Sequence, residues 1–235
     1  MSTPLAGSLV DQAVRRVRDH ISTRDLKVGD TLPGEGQFAS DLGVSRAVMR
    51  EAFGALAALR VIDVGNGRKA RVAAIDGSVM AASIDHAVAT AQITTTEVWD
   101  VRRTLELRTA ALAANHRSDD DARAIVHHAA QMAMHVDDLD QLIGHDIAFH
   151  QAIARAGGNA LFHQIVRSFE QLMRIAVPTA WQTRETVDQR AAVFAIHQDL
   201  ATAIADRAPD SAVTLMEAHF DKSISDVFDT LPPRG

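Results

Sequence analysis

The stretch LDQLIGHDIAFHQAIARAGGN, residues 139–159, contains the pattern that dominates this chain. Its apolar side chains recur at a helical spacing: Leu139, Leu142, Ile143, Ile147 and Ile153. A Gly-Gly-Asn sequence at 157–159 follows, and these residue types commonly end helices in a left-handed conformation. The stretch therefore predicts one amphipathic helix that ends at the glycine pair.

Asp146 and His150 are four residues apart in this predicted helix, so their side chains leave the same face one turn apart. Ile143 and Ile147 flank that face, and a carboxylate and an imidazole beside an apolar stripe need a partner. A divalent metal ion is one such partner, and a hydrogen-bonded Asp–His pair is the other. This stretch alone leaves both interpretations open.

The same helical periodicity extends over residues 77–235, where we find no strand pattern. We predict an all-α antiparallel bundle for this part. Its remaining helices are expected at 77–91, 94–116, 118–136, 159–179 (bent or ended near Pro178), 186–205 and from Pro209 to before Pro232.

Residues 1–76 have a different pattern, which predicts a winged helix-turn-helix and makes the whole chain mostly α. Helices are expected at 8–23, at 35–42 and after Ser45, with Val48, Ala52, Leu56 and Leu59 of the third facing the core. Gly43 separates the last two helices, and a Gly-Asn-Gly turn at 65–67 predicts a hairpin wing.

Arg46 and Arg50 lie on one face near the start of the third helix, where a recognition helix contacts base edges and phosphates. Arg68, Lys69 and Arg71 make one arm of the wing basic, which suits contact with the DNA backbone. The alternative for each of these residues is an ordinary solvated surface arginine or lysine.

The composition limits the classes of protein. Residues 1–76 carry 11 Lys and Arg against 9 Asp and Glu, a net +2, whereas 77–235 carry 13 against 21, a net −8. There is no cysteine, so thiolate metal sites and cysteine nucleophiles are excluded. No apolar run is as long as the about 18 residues that a membrane-spanning helix needs. The N-terminal sequence lacks the apolar segment of a signal peptide. We expect a cytoplasmic protein without a membrane partner.

The chain has eleven histidines, and two of them are candidates to join Asp146 and His150. These are His197 and His219, which lie among apolar residues on late predicted helices. Three imidazoles and a carboxylate that converge inside a bundle suit zinc, nickel or manganese.

The run LPGEGQFASDLGVSRAVMREAFGALAALRVIDVGNGRKARV, residues 32–72, resembles the winged-helix head of GntR-family bacterial transcription regulators. The resemblance implies contacts to double-stranded operator DNA from Ser45, Arg46, Arg50 and Gly67, with Arg68 beside them on the wing. The chain departs from the family at Gly36, where an arginine is usual. The contact of that arginine is therefore expected to be missing or to come from Gln37.

Residues 77–235 are similar to the FCD ligand-binding domain of the FadR-like subfamily. The matching marks are Asp146 and His150 before Gln-Ala-Ile, then His197 and the late His219. The resemblance implies that these four side chains bind a divalent metal ion, with zinc the first choice and nickel or manganese possible. Relatives that sense fatty-acyl-CoA lack this set.

The segment VRRTLELRTAALAA, residues 101–114, is similar to the family segment whose arginine points into the effector pocket, and Arg102 matches it. A small carboxylate or sugar acid is the effector this implies, with Arg174 as a candidate second cation. The alternative for Arg102 is an i,i+4 surface pair with Glu106.

Taken together, these features predict a homodimeric transcription regulator that acts as a repressor. We expect that it is not an enzyme. Two other functions stay open at this point: a metal-dependent hydrolase or lyase of the helical bundle, since open metal positions can activate water, and a direct metal sensor.

Overall fold

The computed structural model describes residues 7–65 and 67–228, with side chains up to residue 222. Contacts between residues divide the chain into two compact units, with the boundary between Val79 and Met80. None of the described helices is both long and apolar enough to cross a bilayer.

The first unit is a winged helix-turn-helix, as predicted. Its elements in chain order are α1 (Leu9–Thr23), α2 (Glu35–Leu42), α3 (Arg46–Ala58), β1 (Ile62–Gly65) and β2 (Arg68–Val72). The two strands form an antiparallel hairpin in which Ile62 pairs with Val72. Local chemistry accounts for the turn between α2 and α3. Gly43, at φ 67°, closes α2, and the Ser45 hydroxyl accepts the Val48 N–H to cap α3.

The core of the first unit lies between α1, α2, α3 and the wing. Its buried apolar residues are Ala13, Val17, Leu32, Phe38, Ala39, Met49, Ala52, Phe53, Leu56, Ile62 and Ala70. The inward face predicted for α3 was correct for Ala52 and Leu56 and wrong for Leu59, which is 58% exposed. Leu59 is the residue after the last helical turn, so its side chain no longer follows the buried stripe.

The second unit is helical throughout its described residues. After α4 (Ser78–Ala89) it contains α5 (Thr95–His116), α6 (Asp119–Met134), α7 (Leu139–Ala156), α8 (Ala160–Ser168), α9 (Glu170–Gln182), α10 (Val187–Ala205) and α11 (Pro209–Phe228). Capping boxes at Thr94, Ser118 and Thr186 begin three of these helices, because each side chain accepts the N–H three residues on.

One predicted helix is two helices in the structure. The sequence pattern predicted a continuous helix over 159–179, bent or ended near Pro178. Instead α8 ends at Ser168, and the buried Phe169 donates its N–H to Val166 in a tighter i−3 bond. Pro178 lies inside α9, which continues to Gln182. The break therefore lies at the buried Phe169 and not at the proline.

The packing of the second unit places five helices around one interior region. Helix α5 packs against α7 and α11, α6 against α7 and α10, and α10 against α11. The core between them contains large side chains such as Phe149, Ile153, Leu200 and Met216. The polar residues described next lie within this apolar interior.

Candidate functional site

Three histidines from three helices meet in the interior of the second unit. Helix α7 carries His150, α10 carries His197 and α11 carries His219, and all three are buried. Their potential ligand atoms all lie within 4.8 Å of one another. The ring centroids are 6.1 Å apart for His150 and His197, 5.0 Å for His150 and His219, and 4.6 Å for His197 and His219. This cluster can hold a metal ion.

The backbone of α10 sets the orientation of His197. Its Nδ1–H donates to the carbonyl of Val193, with the two atoms 2.7 Å apart. The Nε2 atom is then the nitrogen with a lone pair, and it lies 3.3 Å from Oδ1 of Asp146. Despite that proximity, His197 Nε2 is buried without a hydrogen-bond partner among the described residues. A lone pair held in this way is what a metal ligand requires.

Glu106 on α5 plays the same part for His150. One oxygen of its buried carboxylate contacts His150 Nδ1, and the other accepts from Arg102 Nε at 2.8 Å. Burial by itself would raise the pKa of Glu106, but the positive charge of Arg102 and the contact with His150 outweigh it and lower the pKa. The carboxylate therefore stays charged beside His150 Nδ1, and with the ring proton on Nδ1 the lone pair of Nε2 is left for the cluster.

The remaining two predicted ligands are in the protonation states that metal binding needs. Burial, and then the neighbouring His197 and His150, lower the pKa of His219 well below its usual value, so its ring is neutral near neutral pH. Burial opposes ionisation of Asp146, but His197, whose Nε2 lies 3.3 Å away, and the neighbouring His150 and His219 lower its pKa overall. One carboxylate beside three imidazoles is a donor set for a borderline divalent ion.

A cavity of about 40 Å³ adjoins the cluster. It is lined by Trp99, Arg102, Asp146, His150, Ala176, Val177, Ala180, Arg184, Val193, His197, His219 and Phe220. A volume of this size has room for about three water-sized groups. Polar ligands on one side and apolar side chains on the other make it suited to a small polar molecule.

The two arginines predicted for the effector are placed differently. Arg102 lines the cavity, with its guanidinium 4.6 Å from the centre of the Trp99 ring. It also forms the predicted pair with Glu106, but that pair is buried and not on the surface. Arg174 is half exposed, pairs with Glu170 at 3.0 Å and is not among the cavity-lining residues. The second arginine at the cavity is the buried Arg184.

Sequence reasoning missed three residues of this site: Glu106 as a partner of a histidine, Arg184, and Trp99. The i,i+4 spacing of Arg102 and Glu106 was a signal for their pairing, though not for burial. Arg184 follows the end of α9, and nothing in its local sequence points to the cavity.

In the first unit, the structure brings the predicted DNA-contacting residues to two places. Ser45, Arg46 and Arg50 lie exposed at the start of α3, with Arg50 Nε 3.6 Å from a carboxylate oxygen of Glu35. The wing carries the other two, the exposed Arg68 and the preceding glycine at position 67, whose φ is 70°. Both places present cations to solvent.

The departure at Gly36 has a structural consequence. A Cβ atom at position 36 would lie 3.7 Å from the Arg46 guanidinium, so Arg46 extends over the space that a larger side chain would share. Gln37, the other candidate for the missing contact, donates to Asp41 at 2.7 Å.

A helix-turn-helix with a basic wing, attached to a helical unit with a buried ligand-sized cavity, defines the class of one-component transcription regulators. Comparison with known proteins identifies the family. The model of the FCD domain matches residues 97–222, and that of the bacterial regulatory proteins of the gntR family matches residues 9–72. The chain therefore belongs to the GntR family of transcription regulators, in the group with a C-terminal FCD domain, and not to a family of enzymes.

Individual relatives support this assignment. The Glc operon transcriptional activator of Escherichia coli K12 is 32% identical over 153 residues, which is 63% of this chain and 60% of that protein. The chain thus spans less than two thirds of that relative. The transcriptional repressor NanR of Citrobacter rodentium is 25% identical over 224 residues, 93% of this chain and 85% of that protein.

A solved structure of Streptococcus agalactiae GntR shares the fold. It is 22% identical, with a TM-score of 0.67, and the similarity covers 92% of this chain and 99% of that one.

Proposed function

We propose that this regulator is a repressor whose helical unit binds a divalent metal ion through Asp146, His150, His197 and His219, with zinc as the first choice. A small carboxylate or sugar acid then binds beside the ion and changes the affinity of the first unit for operator DNA. The observation that carries the proposal is the buried three-histidine cluster at the edge of a cavity that two arginines also line.

The chain's own residues explain how a metal would be held. His197 is fixed by Val193 and His150 by Glu106, so each ring turns one nitrogen toward the common centre. Asp146 supplies negative charge, which offsets part of the charge of a divalent ion in an apolar interior. When bound, the ion would offer open coordination positions to an anionic oxygen.

The side chains opposite the cluster favour an acid as the effector. Arg102 keeps one carboxylate partner in Glu106, and its guanidinium has further N–H groups on the cavity side that can donate to an anion. Arg184 adds a second buried cation at the same cavity. The indole N–H of Trp99 is buried without a hydrogen-bond partner among the described residues, and a carboxylate oxygen would satisfy it.

The size of the cavity limits the effector. Space for about three water-sized groups admits the carboxylate end of a small acid, and a longer acid must displace the apolar wall formed by Ala176 and Val177. The first candidates are therefore short hydroxy or keto acids, with sugar acids second.

Operator binding is proposed to use both exposed places on the first unit. Arg46 and Arg50 enter the major groove with the start of α3, and Arg68 contacts the backbone beside the wing. Two copies of the chain would present two heads to a two-fold related operator, so we propose a homodimer.

Repression is favoured because the similarity to the NanR repressor covers more of both chains than that to the Glc operon activator.

A screen and a binding assay together test the effector. Metal-loaded protein is heated with a panel of short carboxylic and sugar acids, and hits are added to operator DNA in a mobility-shift titration. We expect a hit to raise the melting temperature and to change operator affinity at least five-fold, a common size for allosteric coupling. Arg102→Lys should weaken the response, because Lys cannot donate in parallel to both a carboxylate effector and Glu106.

Two results would contradict the proposal. If the ion alone changes operator affinity and no acid adds to its effect, the protein is a direct metal sensor. If acids act equally on metal-free protein, the cluster is not part of the effector site.

A further inference from the structure

A second group of histidines, separate from the buried cluster, lies on α6 and α7. His127 and His128 are on α6, His135 is the residue that ends α6, and His145 is on α7. We propose that this group is a second site for a divalent transition metal ion, with His128 and His145 as its central ligands.

His145 is the centre of this outer cluster. Its ring centroid lies 5.4 Å from that of His128, 5.5 Å from that of His135 and 6.0 Å from that of His127. The three rings of the buried cluster are 4.6–6.1 Å apart, which is the same range. Two imidazoles on one tetrahedral ion have ring centres about 5 Å apart, given metal–nitrogen bonds of about 2.0–2.1 Å.

The two central rings already face each other through nitrogen atoms. Nδ1 of His128 lies 3.1 Å from Nδ1 of His145. Without a metal, one ring must donate a proton to the other, so the contact needs opposite tautomers. Two nitrogens on one ion are about 2.9 Å apart for octahedral and about 3.3 Å apart for tetrahedral geometry. An ion can therefore take the place of the shared proton with little movement of either helix.

Two further histidines lie next to this pair, since the ring centroids of His135 and His127 are 5.5 and 6.0 Å from that of His145. His135 donates its Nδ1–H to the carbonyl of Gln131 at 2.9 Å, which leaves its Nε2 lone pair free to bind. His127 is exposed, so its ring can turn toward the pair by rotation about its side-chain bonds. Water would complete the coordination shell.

The donor set and the exposure distinguish this site from the buried one. Its ligands are imidazoles, and His128, His135 and His145 are only half-buried, so solvent ions reach it directly. Nitrogen ligands without a carboxylate select nickel, copper or zinc over magnesium or calcium. Weaker binding than at the buried cluster is expected, because the exposed side chains lose more freedom when they bind.

The outer site would also join α6 to α7, the helix that carries His150 of the buried cluster. An ion shared by His128 and His145 cross-links α6 to α7, and Asp146 is the next residue on α7. Binding outside should therefore raise the thermal stability of the helical unit.

The test is a titration of metal-free full-length protein with Ni²⁺ in competition with a chromophoric chelator. We expect wild type to bind two ions per chain with different affinities. His128→Asn with His145→Asn should lose the weaker ion only, and His197→Ala with His219→Ala the tighter one only. His163→Asn, a half-buried histidine on α8 outside both clusters, is the matched control and should bind as wild type does.

These variants separate the two sites. If the buried cluster does not bind metal, the His197/His219 variant will match wild type, while the His128/His145 variant still loses an ion. A His128/His145 variant that binds as many ions as wild type overturns the outer site. Should that variant fail to fold, Cu²⁺ added to the His197→Ala, His219→Ala variant, which lacks two ligands of the buried cluster, decides. Its paramagnetic resonance spectrum must show coupling to at least two imidazole nitrogens, and a spectrum without it also overturns the proposal.

Discussion

His197 shows how one side chain is prepared for a ligand without any change of charge. Its bond to the carbonyl of Val193 fixes both the tautomer and the ring plane, and Glu106 does the same for His150. Neither Val193 nor Glu106 is one of the four candidate metal ligands. At this scale the orientation of the ligands therefore depends on residues that would not themselves bind the metal.

Glu106→Gln tests this arrangement. The amide cannot balance the buried charge of Arg102 or accept a charged hydrogen bond from His150. We expect metal affinity to fall ten- to a hundred-fold, measured by chelator competition. Loss of one partner of a buried ion pair should also lower the free energy of unfolding by about 3 kcal/mol, measured by urea denaturation.

Glu217→Gln is the matched control, because Glu217 pairs with Arg103 at 2.8 Å but is half exposed. That change should alter stability by no more than about 1 kcal/mol and leave metal affinity unchanged. Equal effects of the two variants would show that Glu106 has no special role behind His150.

The candidate site was predictable from the sequence only in part. The four-residue spacing of Asp146 and His150 on an apolar face pointed to paired polar side chains in the interior. Their apolar neighbours on late helices made His197 and His219 candidates to join the pair, and the family resemblance implied that they are ligands. Glu106 was considered only as a surface partner of Arg102, because the contact of α5 with α7 that buries it joins residues 44 positions apart.

At the scale of the elements, short-range chemistry determines the helix-turn-helix. Gly43 has φ 67°, and a Cβ there would meet nothing within 4 Å, so only backbone strain would oppose a larger residue. Gly54 lies in the middle of α3, also with open space around it. Substitution at Gly43 therefore measures the cost of a left-handed conformation, and substitution at Gly54 measures the effect of helix propensity.

We expect Gly43→Ala to lower the free energy of unfolding by about 1–2 kcal/mol, since a left-handed conformation is strained for alanine. Gly54→Ala should raise it by up to about 1 kcal/mol through helix propensity. Urea denaturation of the full chain measures both. If both substitutions change the free energy of unfolding in the same direction, the turn between α2 and α3 does not depend on Gly43.

The start of α4 is held by Asp76, whose carboxylate accepts from the N–H and hydroxyl of Ser78 and from Arg60. Those two bonds from Ser78 and the pairing with Arg60 lower the pKa of Asp76 from 3.8 to about 2. The folded pKa is the lower one, so the stabilisation is present above pH 3.8 and is lost as the pH falls toward 2.

Asp76→Asn should cost up to about 1 kcal/mol of unfolding free energy at pH 7, because the amide still accepts from Ser78 but loses the charged pair with Arg60. The difference from wild type should stay constant down to about pH 5 and shrink in more acid solution. Denaturation at several pH values measures it, and carboxyl NMR gives the pKa directly. A pKa of Asp76 near 3.8 would contradict the bonding described here.

Helix periodicity predicted most elements because propensity, caps and apolar spacing agree over long segments. The capping boxes at Ser118 and Thr186 are visible as residue types three apart, and the structure begins α6 and α10 there. The break at Phe169 was not visible. It lies at one buried aromatic residue, and no glycine or proline at 168–170 marks it in the sequence.

At the scale of the whole molecule, two units with opposite charge character are joined in one chain of net charge −6. DNA binding by an acidic chain requires that its cations be concentrated locally. The exposed arginines at the start of α3 are such a concentration.

Arg46→Ala with Arg50→Ala should abolish operator binding and leave the fold intact. The slope of log affinity against log salt for residual binding should fall by about two, if both residues contact phosphates. Arg108→Ala with Arg123→Ala removes the same charge from exposed positions on the helical unit and is the control. Mobility shifts at several salt concentrations measure this. Equal losses in the two variants would mean that net charge, and not α3, governs binding.

The most direct test of the account is the metal content of purified full-length protein after dialysis against a weak chelator. Elemental analysis is applied to wild type, to His197→Ala with His219→Ala, and to Arg46→Ala with Arg50→Ala as a folded control. The buried cluster predicts about one tightly held divalent ion per chain in wild type and in the arginine variant, and none in the histidine variant. An equal metal content in all three proteins would contradict a metal centre at His150, His197 and His219.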